Sequence, residues 1–289
     1  MGKVAIVGSN GYIAGFIYSR LRETHKEEDI LRIDSDVQDS RYQLELTKPE
    51  AFDYNLLKDV EFVIFTAAVS GPDKCAEEYE KCWKINVDGT IYFINNAIEK
   101  GCRALFFSSD AVFGDIPGYI YNEESVTQAA TPYGKMKKAV EDCFKDNPDF
   151  KAIRLSYVMS ARDRFVSYCL NCMKNGETAE IFHPFYRNCI SVSDVVQVVM
   201  WLKDNWNEFP HTFLNVAGQE LVSRTRIADE LNRLFDNRLK YTISYPGEDF
   251  YKNRPMITQM ESLYLDRYSI IINYSFTEKI KLELEDYDL

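Results

Sequence analysis

The sequence predicts an α/β fold in which helices cover both faces of a parallel sheet. Three observations predict it. Short apolar runs of strand type alternate with helical runs, a glycine-rich turn follows the first strand, and 46% of the 289 residues are hydrophobic, enough to bury a sizeable core. Parallel strands need long crossover connections, which helices usually supply, so the alternation indicates a doubly wound parallel sheet.

The predicted elements follow one another through the first half of the chain. Strands are predicted at Lys3–Val7 and at residues 29–34, 62–67, 104–108 and 151–154, and helices at residues 12–23, 77–100 and 132–145. After about residue 160 the alternation is less regular, with helices predicted at residues 164–175, 193–205 and 223–235. We therefore expect a dinucleotide-binding domain over residues 1–160. Residues 161–289 are expected to be a smaller, mainly substrate-binding part, some segments of which return to the sheet.

The turn after the first strand reads Gly-Ser-Asn-Gly-Tyr-Ile-Ala-Gly over residues 8–15. Gly8 suits a tight turn, and Gly11 lets the backbone approach a pyrophosphate, whose charge then lies at a helix N-terminus. Ala14 and Gly15 are expected to permit close packing of helix against strand. The second strand ends at Asp34, where a dinucleotide fold accepts the ribose hydroxyls. Strand, glycine turn, helix and acid in this order predict a Rossmann-type site.

Ser109, Tyr133 and Lys137 form a predicted proton-transfer site. Residues four apart share a helix face, so Tyr133 and Lys137 point at one pocket, while Ser109 closes an apolar strand and offers a hydroxyl to the substrate oxygen. A phenol with its usual pKa of about 10 is a poor acid or base at neutral pH, and we expect the Lys137 ammonium to favour the phenolate. A Tyr-x-x-x-Lys spacing alone is common in proteins. The glycine turn after the first strand supports the catalytic interpretation of this spacing.

These residues resemble the extended short-chain dehydrogenases/reductases of the sugar-nucleotide epimerase, dehydratase and reductase group. The glycine turn is of that group's Gly-x-x-Gly-x-x-Ala type, and N-V-D-G-T over residues 86–90 is similar to its N-V-x-G-T. S-S-D-A-V-F-G over residues 108–114 resembles the segment that holds its catalytic Ser or Thr. The resemblance covers most of the chain and implies Ser109, Tyr133 and Lys137 as catalytic residues.

The resemblance also implies which residues contact cofactor and substrate. E-L-T-K-P over residues 45–49 is similar to an acidic segment that faces the adenine, and Arg187 begins a segment similar to one whose Arg holds the nucleotide diphosphate. The implied cofactor-binding residues are Gly8, Asn10, Gly11, Tyr12, Ile13, Asp34, Glu45, Leu46, Ala67, Ala68, Tyr133 and Lys137. The implied substrate-binding residues are Ser109, Asp110 and Arg187.

NAD is the expected cofactor, with NADP as the second choice. Asp34 should repel a 2′-phosphate, and no basic residue follows it until Arg41. Either Arg32 or Arg41 would accommodate the phosphate if it turned toward the ribose.

Within the group the chain most resembles the dTDP-4-dehydrorhamnose reductases. Their S-T-D-Y-V-F and R-T-S-W-V-Y segments are similar to residues 108–113 and 154–159, although Ala111 and Met159 replace aromatic residues. The leading interpretation is NAD(P)-dependent reduction of a 4-keto nucleotide sugar for polysaccharide biosynthesis. Dehydratase activity is disfavoured, because Ala111 stands where the elimination needs a carboxylate. Two alternatives stay open, an NAD-dependent nucleotide-sugar 4-epimerase with the same catalytic residues and a non-catalytic dinucleotide-binding regulatory subunit.

The composition of the chain disfavours some classes of binding partner and indicates the cellular compartment. A formal net charge of −11 argues against nucleic acid and anionic membranes, since both need a basic face. No stretch approaches the roughly 18 apolar residues of a membrane span, and no secretory leader precedes the first strand, so a cytoplasmic protein is expected. Seven irregularly spaced cysteines fit reduced thiols, and no metal site is expected. The resemblance implies a homodimer.

Overall fold

The computed structural model describes residues 2–114, 116 and 118–287. Its strands are β1 (Lys3–Val7), β2 (Ile30–Ile33), β3 (Val60–Phe65), β4 (Arg103–Ser109), β5 (Ile120–Tyr121), β6 (Phe150–Leu155), β7 (Val158–Met159), β8 (Thr178–Phe182), β9 (Tyr186–Asn188), β10 (Ile190–Ser191), β11 (Phe213–Val216), β12 (Leu221–Ser223), β13 (Lys240–Ser244) and β14 (Ile257–Met260). Its helices are α1 (Tyr12–Leu21), α2 (Pro72–Glu77), α3 (Tyr79–Trp83), α4 (Thr90–Glu99), α5 (Pro132–Phe144), α6 (Arg164–Asn175), α7 (Val192–Asp204), α8 (Arg224–Leu234), α9 (Glu248–Tyr251) and α10 (Phe276–Leu284).

The first of two compact units holds the chain up to Gly114 together with Val126–Arg154 and Val199–Leu214. Its six-stranded sheet has the order β11-β6-β4-β3-β1-β2. β1 pairs in parallel with β2 on one side and with β3 on the other, and β3 pairs in parallel with β4. The strand order therefore reverses beside β1, which makes the carboxyl end of this strand a topological switch point where α/β proteins bind ligands. The predicted doubly wound α/β fold is confirmed.

The core of the first unit explains why its strands were easy to locate. All six residues of β6 are buried, as are four of the five residues of β1, because helices cover both faces of a parallel sheet. Aromatic rings fill the space between sheet and helices, with the Phe93 ring centroid 5.6 Å from that of Phe65. Continuous apolar runs of this kind leave a clear signal in the sequence.

The helix predicted over residues 77–100 is the main error in the first unit. The structure divides it into α2, α3, a π-helical segment at Lys84–Gly89 and α4. The π-helical segment contains the buried Asn86, whose side chain accepts a hydrogen bond from Val69 N (2.8 Å) and donates one to Val69 O (2.9 Å). The widened turn thus directs the polar Asn86 side chain onto the backbone that follows β3. The helical periodicity of the sequence does not reveal such a π-helical segment.

The second unit consists of Leu155–Val198, the chain from Asn215 onward, and the segment that precedes Val126. It contains a four-stranded sheet, β12-β9-β14-β5, and two pairs, β7 with β10 and β8 with β13. The apolar faces of α6, α8 and α10 share one core cluster, which includes Val166, Leu231 and Ile280. The helix predicted at residues 164–175 is confirmed as α6. The assignment of cofactor binding to residues 1–160 and of substrate binding to residues 161–289 stays a prediction.

Candidate active site

A cleft of about 440 Å³ lies in the first unit at the carboxyl ends of β1, β2 and β3. Eight of the residues predicted to bind the cofactor line it: Gly8, Asn10, Gly11, Asp34, Glu45, Leu46, Ala67 and Ala68. Seven further lining residues were not predicted to bind the cofactor: Val7, Ser35, Leu44, Thr47, Thr66, Val69 and Ile85. Its place at the switch point of a parallel sheet is where such folds hold a dinucleotide.

Gly8 shapes the floor of the cleft. Its φ of 82° lies in the left-handed region, and a Cβ at this position would lie 2.6 Å from Ala67 N. Any other residue would therefore be strained and would also push the backbone that follows β3 away from β1. The close approach of these two backbones explains why the sequence requires glycine at this turn.

The N-terminus of α1 faces the same turn. Among the described residues no side chain caps this helix, whose Ncap residue is Gly11. An uncapped helix start leaves backbone N–H groups that favour an anion such as a pyrophosphate. The expectation for Gly15 is wrong, because this glycine is exposed and nothing lies within 4 Å of where its Cβ would be. The close helix packing is made by Ala14, which is fully buried.

The Asp34 carboxylate is held in a fixed position at the end of β2. It accepts hydrogen bonds from Asn10 N (2.9 Å) and from Ser35 N (2.7 Å). The nearby cation Arg32 donates to Asn10 Oδ1 (3.3 Å) and lies 4.8 Å from the ring centroid of Tyr18. A fixed carboxylate at this place can accept ribose hydroxyls and repel a phosphate.

Arg41, the other candidate partner for a 2′-phosphate, is engaged elsewhere in the structure. Its guanidinium pairs with Asp39 at 2.6 Å and lies 5.5 Å from the ring centroid of Tyr42.

Four other predicted cofactor residues, Tyr12, Ile13, Tyr133 and Lys137, lie outside the lining of this cleft. Their cofactor contacts stay predictions.

Ser109 and Tyr133 are brought together by the start of α5. Thr131 caps this helix through a hydrogen bond from Gly134 N (3.2 Å). A Cβ on Gly134 would lie 2.0 Å from Ala111 O, so the first turn of α5 packs directly on the turn that follows Ser109. Only glycine after the tyrosine permits this approach. Gly134 is thus a positioning residue that the sequence analysis missed.

The Ser109 hydroxyl is oriented by its neighbours. It donates to Asp110 Oδ1 (2.9 Å) and accepts from Ala111 N (3.2 Å), and the side chain is half-buried. The hydroxyl therefore lies at the surface of the first unit beside Tyr133. It can redirect its proton from the carboxylate to a substrate oxygen without leaving its backbone anchor.

Tyr133 is a neutral phenol in this structure. Its ring packs on a cluster that contains Cys75 and Met136. Desolvation by this packing raises the pKa of Tyr133 above its ordinary value, and the charges of Cys75 and Asp110 add to the effect. The net shift is therefore opposite in direction to the one expected, because desolvation dominates it. A protonated tyrosine is a proton donor, which suits reduction of a carbonyl.

Lys137 is buried, with 2% of its surface exposed. Its ammonium donates to Phe107 O (2.7 Å) and lies 5.7 Å from the ring centroid of Tyr133. Burial lowers the pKa of Lys137 to about 7, although the charges of Glu141 and Cys75 act in the opposite direction. Small changes around this lysine therefore change its charge at neutral pH.

A buried network fixes α5 on the sheet. Glu141, one turn beyond Lys137, accepts from Ser108 Oγ (2.5 Å) and from Arg154 Nη2 (2.8 Å) and Nε (3.1 Å). Ser108, Glu141 and Arg154 are each at most 3% exposed. Tyr133, Lys137 and Glu141 recur every fourth residue, so one face of α5 carries both the predicted chemistry and its anchor. The spacing of Glu141 was the available signal, and the sequence analysis missed it.

The structure gives Arg187 a bracing role in the second unit. Its guanidinium donates to Tyr186 O (2.6 Å), Pro255 O (2.7 Å) and Met256 O (3.3 Å), and so joins β9 to the segment before β14. The predicted contact of Arg187 with a diphosphate stays a prediction, as does that of Asp110 with substrate.

None of the helices in the described ranges is long and apolar enough to span a bilayer.

Comparisons with known proteins agree with this architecture. The model of the family described as RmlD substrate binding domain matches residues 2–288. UDP-glucose 4-epimerase 2 from Oryza sativa is 38% identical over 77 residues, 25% of this chain and 19% of that protein. The spore coat polysaccharide biosynthesis protein SpsK from Bacillus subtilis is 29% identical over 99 residues, 34% of this chain and 35% of that protein. The matched segments thus span about a third or less of these relatives.

Solved structures match over nearly the whole chain. A dTDP-4-dehydrorhamnose reductase from Clostridium acetobutylicum has a TM-score of 0.80 at 24% identity and covers 98% of both chains. The reductase of the same name from Bacillus anthracis, solved with NADP, has a TM-score of 0.80 at 17% identity and covers 99% of both chains. MoeE5, solved with UDP-glucose and NAD, has a TM-score of 0.79 at 20% identity and covers 98% of both chains. At these identities the likeness shows the fold.

Proposed function

We propose that this chain, which belongs to the RmlD substrate binding domain family, is an NAD(P)-dependent oxidoreductase that reduces a 4-keto nucleotide sugar. The observation that carries the proposal is that the first turn of α5, which bears Tyr133, packs on the turn that follows Ser109, in the unit that also holds the dinucleotide-type cleft. A phenol of raised pKa releases its proton only to a strongly basic oxygen, such as the alkoxide that forms when a carbonyl is reduced. A tyrosine that is protonated at neutral pH supplies the proton that reduction of a carbonyl requires.

The residues that would hold the cofactor fit a dinucleotide. The uncapped start of α1 favours the pyrophosphate, Asp34 is oriented to accept ribose hydroxyls, and Glu45 lies on the cleft wall where the adenine is expected. The bound nicotinamide would supply the hydride. We propose NAD as the preferred cofactor, because Asp34 is fixed while Arg32 and Arg41 are engaged by other side chains.

This chain's own residues would handle the proton. Ser109 donates a hydrogen bond to the sugar carbonyl oxygen, which polarises the carbonyl and orients it toward Tyr133. Tyr133 then gives its proton to that oxygen and is left as a phenolate. The Lys137 ammonium, held on the same helix face, stabilises the phenolate charge until a solvent proton restores the tyrosine. Because its own pKa is about 7, Lys137 gains its proton readily when such a negative charge appears.

The test is a turnover assay with the purified full chain, NADH or NADPH, and a panel of nucleotide 4-keto sugars. The proposal expects one reduced cofactor consumed per sugar reduced. If the protein binds the reduced cofactor but consumes none of it with any sugar of the panel, it is not a reductase, and the epimerase and the regulatory subunit are the alternatives that are left.

Nucleotide-sugar 4-epimerisation is the second candidate, favoured by the 38% identical segment shared with UDP-glucose 4-epimerase 2. An epimerase would use the same serine, tyrosine and lysine but return the hydride to the other face of the sugar. It would interconvert nucleotide sugars with no net change in added cofactor. The same assay, followed by analysis of the sugar products, therefore separates the two functions.

A role in polysaccharide biosynthesis, a homodimer and a cytoplasmic location belong to the same proposal. The partial match to SpsK supports the first, and the family resemblance supports the second. Light scattering on the purified protein tests the homodimer, because a measured mass of 33.6 kDa, that of a single chain, would contradict it.

A further inference from the structure

Two consecutive residues at the end of β4 hold α5. Phe107 O accepts a hydrogen bond from Lys137 Nζ (2.7 Å), and Ser108 Oγ donates one to Glu141 Oε1 (2.5 Å). The residue that follows them is Ser109, the predicted hydroxyl donor. Lys137 and Glu141 are one turn apart on α5 and each 2% exposed, so two opposite charges share the buried face of this helix.

The direct contacts of Lys137 are uncharged. Within the described part of the chain its ammonium makes one hydrogen bond, to Phe107 O, and lies 4.5 Å from the ring centroid of Phe106. A desolvated ammonium among uncharged groups tends to lose its proton, and burial lowers the pKa of Lys137 to about 7. The charge of Glu141 acts against this lowering. Lys137 therefore depends on a carboxylate that it does not contact.

Two other ionisable groups lie close to Lys137, and both are uncharged at neutral pH. Desolvation raises the pKa of the Cys75 thiol, on α2, to about 12, and it likewise raises the pKa of Tyr133. Arg154 reaches Glu141 from β6 and holds its carboxylate through Nη2 (2.8 Å) and Nε (3.1 Å). The Glu141 carboxylate is thus the fixed negative charge that favours the ammonium form of Lys137.

We propose that Glu141 is a positioning residue of the proton transfer, whose buried carboxylate keeps Lys137 charged so that the ammonium can stabilise the Tyr133 phenolate. This inference rests on the proposed function, in which Tyr133 gives its proton to the substrate oxygen. Glu141 acts through Lys137 and needs no contact with the substrate. Well-packed apolar residues could hold α5 as firmly as the buried pair of Glu141 with Arg154 does. They could not supply a negative charge one turn from the lysine.

The test follows the pH dependence of kcat for the full chain with NADH and a nucleotide 4-keto sugar. Because the charged form of Lys137 stabilises the phenolate, kcat should fall as the pH rises through the pKa of this lysine. Glu141→Gln keeps the size of the side chain and removes its charge. The fall should then move to lower pH by about one unit, which lowers kcat at pH 7 by roughly threefold to tenfold. Glu141→Asp keeps the charge and should recover most of the shift.

Ser108→Ala is the matched control. It removes a hydrogen bond to the same carboxylate but leaves the negative charge, so the pH dependence of kcat should stay that of the unmodified chain even where the melting temperature falls. The double variant Glu141→Gln/Arg154→Met decides the case if Glu141→Gln does not fold, since uncharged groups often replace a buried ion pair without loss of stability. Its kcat should also fall at lower pH.

A pH profile of kcat that is the same in Glu141→Gln as in the unmodified chain would overturn the inference. An equal shift in Ser108→Ala would overturn it as well, because it would show that disturbance of the network, and not loss of charge, moves the profile.

The titration of Lys137 can also be followed without turnover, by NMR of lysine labelled with ¹³C at Cε, with Lys137→Arg to identify the resonance. If the chain reduces no sugar, the proposed function fails. A resonance that titrates at lower pH in Glu141→Gln would still support the electrostatic role of Glu141, and an unchanged titration would refute it.

Discussion

The two compact units differ in how their functional side chains are assembled. In the first unit most of the predicted site residues lie just after the end of a strand or at the start of a helix, and the parallel sheet brings the ends of its strands to one edge. In the second unit the contacts of interest join short strands from distant segments, such as the hydrogen bond from Arg187 to Pro255, 68 residues away. Local sequence motifs therefore predict a site built from strand ends and helix starts, as in the first unit. They predict poorly a site built from distant segments, as in the second unit.

The largest expected effect concerns the anchor of α5 in the first unit. Glu141→Ala would leave Arg154 buried without its carboxylate, and breaking a buried ion pair in this way costs roughly 3 to 5 kcal/mol of unfolding free energy. A urea titration followed by circular dichroism measures the change. Asp142→Ala is the control, because Asp142 forms an exposed pair with Lys138 and should lose less than about 1 kcal/mol. Equal losses in the two variants would mean that the buried network does not hold α5.

The next effect tests the brace in the second unit. Arg187→Ala removes three hydrogen bonds from a charged donor to backbone carbonyls, and we expect it to lower the unfolding free energy by about 1.5 to 3 kcal/mol. NAD binding, which we propose for the first unit, should be unchanged. A variant of unaltered stability that binds nucleoside diphosphates poorly would contradict the bracing role of Arg187 and support the original diphosphate prediction.

The smallest effect concerns the cofactor edge of the first unit. Asp34→Asn removes the charge that repels a 2′-phosphate and keeps one of the two oxygens that accept from Asn10 N and Ser35 N. The ratio of NADPH to NADH affinity should rise by about tenfold, equivalent to about 1.4 kcal/mol. Asp36→Asn removes an exposed charge two residues away and serves as the control. An unchanged ratio of NADPH to NADH affinity in Asp34→Asn would show that this carboxylate does not determine the cofactor preference.

The sequence predicted the first unit well because its signals are local. Gly8, Gly11 and Asp34 belong to one regular pattern of strand, glycine turn, helix and acid. Glu45, Leu46, Ala67 and Ala68 were implied by the family resemblance, and all of these residues line the cleft. The direction of the Tyr133 pKa shift could not be predicted, because it depends on burial against Cys75, which lies 58 residues earlier in the chain. Tertiary packing decides desolvation, and spacing along one helix does not report it.

Arg224 shows why the second unit was less predictable. Nothing in the residues around it distinguishes it from Arg226, which pairs with Glu230 at 2.7 Å and has an ordinary surface role. Its guanidinium carbon lies 4.9 Å from the ring centroid of Phe165 and 4.5 Å from that of Phe185, two residues that reach it from separate segments. Short strands of two to five residues carry too little periodicity to place such segments beside one another.

The most direct test of the central claim is the kinetics of Tyr133→Phe with a nucleotide 4-keto sugar that the unmodified chain reduces. The variant keeps the ring on its apolar cluster and removes only the proton donor. We expect kcat to fall by about 10² or more while the dissociation constant for NADH changes little. Near-normal turnover by a folded Tyr133→Phe variant would contradict the account, because it would show that the tyrosine packs on the helix face and takes no part in the proton transfer.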